Sequence, residues 1–162
     1  MYTFVPIKDE KTRQAAFHVY EQNSDYYHAI GAPIASPDTV LEDENGIPSG
    51  VDLKRKHYWL IMNGTETIGV IDLIESYPDK PTIYVGLLQI ADHGKGHGSA
   101  VVKQLSAAFK QHGFKQMELA VVMGDDDAFA FWQGQGFKSV RGTNAKISVG
   151  NERAILIMRK EL

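Results

Sequence analysis

At 162 residues, with 43% apolar side chains, the chain can bury one sizeable core but is too short for several domains. Its 17 basic and 20 acidic residues leave a net charge of -3, which argues against a nucleic-acid or polyanion-binding surface. It has no cysteine, which excludes disulfides, thiolate metal sites and a thiol nucleophile, and fits a reducing cytosol.

Met1 to Pro6 meets an acidic, helix-like stretch rather than a long apolar core, so no signal peptide is expected. No apolar run is long enough to span a bilayer, so a cytoplasmic chain without a membrane partner is expected. Tyr2 to Ile7 reads as a short strand. Asp9 stands as the N-cap of a helix carrying Phe17 and Tyr20 at helical spacing. Asn23 to Gly50 holds Pro33, Pro37 and Pro48 and is the least regular segment, with one short helix after Ser36-Pro37. Tyr58 to Met62 and Thr67 to Ile74 flank Asn63-Gly64, a hairpin signal because both residues tolerate positive φ. Tyr77 to Pro81 turns the chain into a strand over Thr82 to Ile90.

The run His93-Gly94-Lys95-Gly96-His97-Gly98 then opens a helix whose Val101, Leu105, Ala108 and Phe109 share one face, ended by Gly113. Met117 to Met123 is a nearly continuous apolar strand. Gly124 to Asp127 caps a short helix through Trp132, ended by Gly134 and Gly136. Phe137 to Arg141 and Arg153 to Arg159 read as strands joined by a polar link, Gly142 to Asn151. The order predicts one α+β domain over residues 1–162 with a mixed sheet and no linker.

Three glycines at alternate positions let a ligand approach the backbone, and the helix start behind them aims N–H groups and the positive end of a dipole at one point. The run therefore reads either as an anion cradle or as a bare turn. It is no Walker loop, since Lys95 is followed by Gly96, and no dinucleotide fingerprint, since the third glycine is missing. His93 and His97 stand four apart, but glycine fills the position where the metalloprotease motif has glutamate. They read as loop histidines, and no metal is expected.

Strand, glycine run and amphipathic helix together resemble the Arg/Gln-x-x-Gly-x-Gly/Ala motif of the GNAT superfamily of acyl-CoA-dependent N-acetyltransferases. Asp125 to Phe137, in the right order and one helix and one strand away, is similar to that family's Asn-x-x-Ala-x-x-Phe/Leu-Tyr-x-x-x-Gly-Phe. The resemblance implies a small, bacterial-type, single-domain member. Its sheet would be mixed and mostly antiparallel, with splayed fourth and fifth strands and helices on both faces. Residues 1–81 would form the acceptor side, 82–141 the acyl-CoA-binding core and 142–162 the C-terminal strand region.

It also implies acetyl-CoA as cosubstrate. Gly86, Leu87 and Leu88 would pair with the pantetheine arm. His93, Gly94, Lys95, Gly96, His97, Gly98 and Ser99 would hold the pyrophosphate, with Asp125 and Trp132 beside them. His93 replaces the usual Arg or Gln, and Asp125 replaces Asn, keeping acceptors but losing a donor. Trp132 stands where many members have a tyrosine acid, and an indole N–H is no practical acid; it equally reads as a packing residue.

The activity implied is N-acetylation of a small or peptide primary amine by direct attack in a ternary complex, since no cysteine can form an acyl-enzyme. A silent acyl-CoA sensor on the same fold is the alternative, because Ala120 and Trp132 occupy usual catalytic positions; a nucleotide-binding regulatory domain is a third. Asp72 interrupts the apolar run Ile68 to Ile74. It reads either as a base whose burial raises its pKa or as a carboxylate facing solvent or a lysine. Tyr84 is a second proton carrier; Glu75 and Glu118 are weaker, Glu118 being expected in solvent. Tyr26, Tyr27 and His57 are placed at the acceptor, where Asp38, Glu42, Asp43 and Glu44 could attract a cationic amine or simply be solvated. A homodimer is plausible by resemblance.

Overall fold

In a computed structural model covering residues 1–162, seven strands form one sheet. They are β1 (Thr3–Pro6), β2 (Lys56–Asn63), β3 (Glu66–Glu75), β4 (Thr82–Ile90), β5 (Gln116–Val122), β6 (Lys138–Ser148) and β7 (Asn151–Glu161). Their order is β1-β2-β3-β4-β5-β7-β6. Five helices accompany them: α1 (Glu10–Glu21), α2 (Ser24–Ala29), α3 (Pro37–Asn45), α4 (His97–Gln111) and α5 (Asp126–Gly134). Only β4 and β5 pair in parallel, and α4 is the crossover that a parallel step requires.

Local chemistry sets the helix starts. Asp9 accepts from the Thr12 N–H at 2.9 Å, and the Thr12 hydroxyl accepts from the Asp9 N–H at 3.1 Å. This reciprocal cap satisfies donors that the first turn of α1 leaves bare. Thr39 supplies half of the same arrangement for α3, its hydroxyl accepting from the Ser36 N–H at 3.0 Å, with Pro37 in the first turn, where its missing N–H costs nothing.

The structure departs from the sequence reading in three places. The hairpin turn is Gly64-Thr65, not Asn63-Gly64: Asn63 still pairs with Glu66, and only Gly64 takes positive φ, +62°. The irregular segment contains α2 as well as α3. The polar link from Gly142 to Asn151 is mostly strand, since β6 runs to Ser148 and β7 begins at Asn151. Being the outermost strand and largely exposed, β6 needs no apolar alternation; its backbone ladder to β7 holds it.

The helices divide between the faces of the sheet. On one, Val101, Val102, Leu105 and Phe109 of α4 and Trp132 of α5 bury Ile71, Leu73, Ile83, Val85 and Leu119. On the other, Val19 and Tyr20 of α1, Tyr27 of α2 and Val40 of α3 bury Tyr58, Leu60 and Val70. The second cluster takes no residue from β5, β6 or β7, so that end of the face stays open.

Inside the second cluster, the Tyr20 hydroxyl donates to Asp43 Oδ2 at 2.6 Å and meets the Tyr58 hydroxyl at 2.6 Å. Burial, reinforced by the Asp43 charge, drives the Tyr20 hydroxyl far above its ordinary pKa, so it remains a donor. Tyr20→Phe should cost about 1–3 kcal/mol by stranding Asp43 and Tyr58, measurable by urea unfolding.

Candidate functional site

The parallel ladder is short. Residues 82–85 of β4 face residues 116–119 of β5, and beyond them the strands part. β4 continues with β3 up to Ile90, and β5 continues with β7 up to Val122. A cavity of about 590 Å³ opens in the gap. Residues 86–90 line one wall and residues 119–122 the other, while the glycine run, α2 and α5 close the remainder. A strand edge facing a void presents backbone donors and acceptors without partners, which an amide-bearing ligand could satisfy.

The glycine run sits at one end. Gly94 and Gly96 adopt φ of +83° and +79°, which glycine takes without steric cost. A Cβ on Gly98 would lie 3.1 Å from the Phe131 ring, so α4 and α5 pack too closely there for a side chain. Gly96, the N-cap, has no side chain to satisfy the first turn of α4. The N–H groups of His97, Gly98 and Ser99 thus line the cavity without acceptors in the chain, at the positive end of a 15-residue helix.

His93 is aimed from a distance in sequence. Asn23, 6% exposed, donates from Nδ2 to the carbonyls of Val19 at 2.9 Å and Ile90 at 3.1 Å. Its Oδ1 must therefore be the acceptor toward His93 Nε2 at 2.7 Å, so the imidazole carries its proton on Nε2. His97 Nδ1 meets the Tyr2 hydroxyl at 2.8 Å. Asp125 caps α5 by accepting from the Ala128 N–H at 3.3 Å. Trp132 stacks edge-on between Phe131 and Phe137, at centroid distances of 4.9 and 5.1 Å, and also borders the cavity. Gln89 contributes a buried Oε1 with no partner, while its Nε2 donates to the Tyr27 hydroxyl at 2.9 Å.

Among the predicted residues, the cavity gathers Tyr26, Gly86, Leu87, Leu88, Asp125, Trp132 and the run 93–99 except Lys95. Lys95 does not line the cavity and pairs with Asp92, which does. Tyr27 lies beneath the wall rather than in it. His57 does not line the cavity: its partner across the ladder is Leu73, part of the α4 core, and it stacks on Trp59 at 4.8 Å. The acidic segment does not reach the cavity either, since Asp43 binds Tyr20 and Glu44 binds Arg13 at 2.7 Å. Asn23 and Gln89 were missed, because nothing in the sequence tells a polar residue in an irregular segment or a strand that a partner lies 62 to 70 residues away.

The candidate proton carriers lie beside the gap. β4 bulges at Gly86: Asp72 pairs with Leu87 and Leu73 with Val85, leaving Gly86 over the Asp72 side chain. A Cβ on Gly86 would come within 2.8 Å of Asp72 Oδ2. That oxygen accepts from Lys56 Nζ at 2.9 Å, whereas Oδ1 is buried without a partner. Burial raises the Asp72 pKa to about 6, against the pull of Lys56. Burial also pushes Tyr84 up to about 12, aided by Tyr77 beside it. Tyr84 does not border the cavity. Glu118 is not solvated, as its place near a strand start suggested. It is 1% exposed and held by Arg141 at 3.4 Å and Arg159 at 3.2 Å.

The acetyltransferase (GNAT) family profile matches residues 13–137, and the chain belongs to that family. An acetyltransferase from Thermus thermophilus superposes with TM-score 0.78 at 22% identity, over 100% of this chain and 97% of that one. The ribosomal-protein-S18-alanine N-acetyltransferase of Escherichia coli follows at 0.68 and 16%, covering 99% and 94%. A Bacillus subtilis acetyltransferase in complex with CoA gives 0.62 and 13%, covering 99% and 97%. Comparison with curated proteins gives no match.

Asn23→Ala should free the ring of His93. Nitrogen-resolved NMR should then show its single Nε2–H tautomer replaced by a mixture, and stability should fall by about 1–3 kcal/mol as buried carbonyls lose their donor.

Proposed function

We propose that this protein transfers an acetyl group from acetyl-CoA to a primary amine, by direct attack in a ternary complex. The observation that carries the proposal is the β4–β5 split, ending on the unpartnered N–H groups of His97, Gly98 and Ser99. The donor set fits CoA. An extended, amide-rich arm matches the free strand edge at Gly86, Leu87 and Leu88, and Gln89 Oε1 is an orphaned acceptor in the same wall. A pyrophosphate suits the glycine run and the helix dipole, with His93 in place of the usual cation. The CoA complex of the Bacillus subtilis relative supports this assignment.

Acetyl-CoA would supply an activated acyl group and a thiolate leaving group. The chain's own part is to bind, orient and move protons. Asp72 Oδ1 has no partner beside the Gly86 bulge, and we assign it the proton lost by the amine, relayed through water. The Tyr84 hydroxyl keeps its proton at neutral pH; because it stands outside the cavity wall, we assign it the proton passed to the departing sulfur through water. Trp132 and Ala120, where relatives carry acid and base, favour the rival reading of a silent CoA sensor.

Calorimetry with CoA and acetyl-CoA, followed by thiol release with a panel of amines, decides between these. Binding with turnover supports the enzyme, and binding without turnover supports the sensor. No binding at millimolar ligand would sink both. Asp72→Asn should lower kcat by about 10²–10⁴-fold with acetyl-CoA affinity within about threefold of wild type. Because the raised pKa of Asp72 must be passed before it can accept a proton, wild-type kcat should climb with pH through about 6 and level off. The variant should lose that limb.

A further inference from the structure

The open end of the sheet holds two arginines, Arg141 and Arg159, that the transfer chemistry does not use. Register places Tyr84, Glu118 and Arg159 in one row across β4, β5 and β7. One step further along, Ala120, Ile157 and Arg141 form the next row across β5, β7 and β6. Ala120 is exposed and lines the cavity; Arg141 shares its row, about 10 Å away Cα to Cα across two strand spacings, and stands outside the cavity wall itself.

Glu118 Oε2 receives both Nε and Nη2 of Arg159, at 3.3 and 3.2 Å. That fork alone neutralises the buried carboxylate. Arg141 adds one contact, from Nη2 to Oε1 at 3.4 Å, and its side chain remains 54% exposed. Its other N–H groups have no partner, so the cluster keeps one net positive charge and most of a free guanidinium fork.

Neither Arg141 nor Arg159 pairs with any carboxylate but Glu118, although Asp25, Asp92, Asp125 and Asp127 line the cavity. Asp72 is paired with Lys56, and Glu161 lies two residues beyond Arg159, toward the end of β7 away from the cavity. Arg153, on the same side of β7, adds a further cation, donating to the Met123 carbonyl at 3.3 Å. The excess is local, since the whole chain carries -3.

We infer that the acceptor amine bears its own carboxylate, as a free amino acid does, and that Arg141 holds this carboxylate while the amine faces the gap between β4 and β5. The inference rests on the acetyltransferase reading above. It reverses the expectation of a cation drawn by the Asp38–Glu44 segment, whose inner members are engaged within the fold.

The test compares free amino acids with their carboxamides, and with spermidine, as acceptors for wild type, Arg141→Gln and Arg141→Lys. CoA calorimetry and thermal unfolding run alongside. At least one amino acid should exceed its carboxamide in kcat/KM by about 10- to 100-fold, the worth of a charge-assisted hydrogen bond. Arg141→Gln should bring that ratio near one through KM, with CoA affinity unchanged, and Arg141→Lys should restore part of it. A purely structural Arg141 would lower stability and leave the ratio intact, overturning the inference. Carboxamides or spermidine performing as well as the acids would also overturn it, while leaving the acetyltransferase reading in place. Failure to bind CoA, or to acetylate any amine, would remove both.

Discussion

The site depends on one constraint: β4 and β5 pair over only four residues and then must separate. Each strand has a stronger allegiance elsewhere, β4 to β3 and β5 to β7, and both of those ladders are antiparallel and longer. The Gly86 bulge turns β4 at the point where the parallel ladder ends, and only glycine leaves room there for the Asp72 carboxylate. The cavity is thus the space between two half-sheets that each satisfy themselves. α4 and α5 cover the joint from one face, so the opening does not cut through the core.

How far the sequence foretold this follows the range of the interaction. Caps, the glycine run and the α4 stripe are local, and each appears where residues a few positions apart demand it. The resemblance to an acetyltransferase rested on two such local motifs, and the family match covers both. That His57 falls outside the cavity wall was not legible, because a strand residue's face is set by its partners, here Leu73 on the α4 side. Glu118 was misjudged because its two arginines lie 23 and 41 residues downstream. The outer part of β6, Gly142 to Ser148, was taken for a link because a strand exposed along its length carries no hydrophobic period.

Electrostatics divides the site the same way. At the glycine run the favourable field comes from backbone dipoles, with His93 fixed by Asn23 and Lys95 neutralised by Asp92. At the Gly86 bulge it comes from a buried carboxylate partly offset by one lysine. On the open face it comes from arginines that outnumber their carboxylate. An anion, a proton and a second anion would thus each meet a separate part of one cleft, supplied by different elements of the chain.

The four-residue parallel ladder also makes the cleft a quantised object. Strands gain or lose pairing one residue at a time, so its depth can change only in steps of about 3.3 Å. Adding a pair would zip shut the wall that begins at Gly86, and removing one would cut the seam joining the halves from four rungs to three. Variation within this architecture is therefore directed to the rim, in loops and in the β6–β7 hairpin, where length can change without moving the fork.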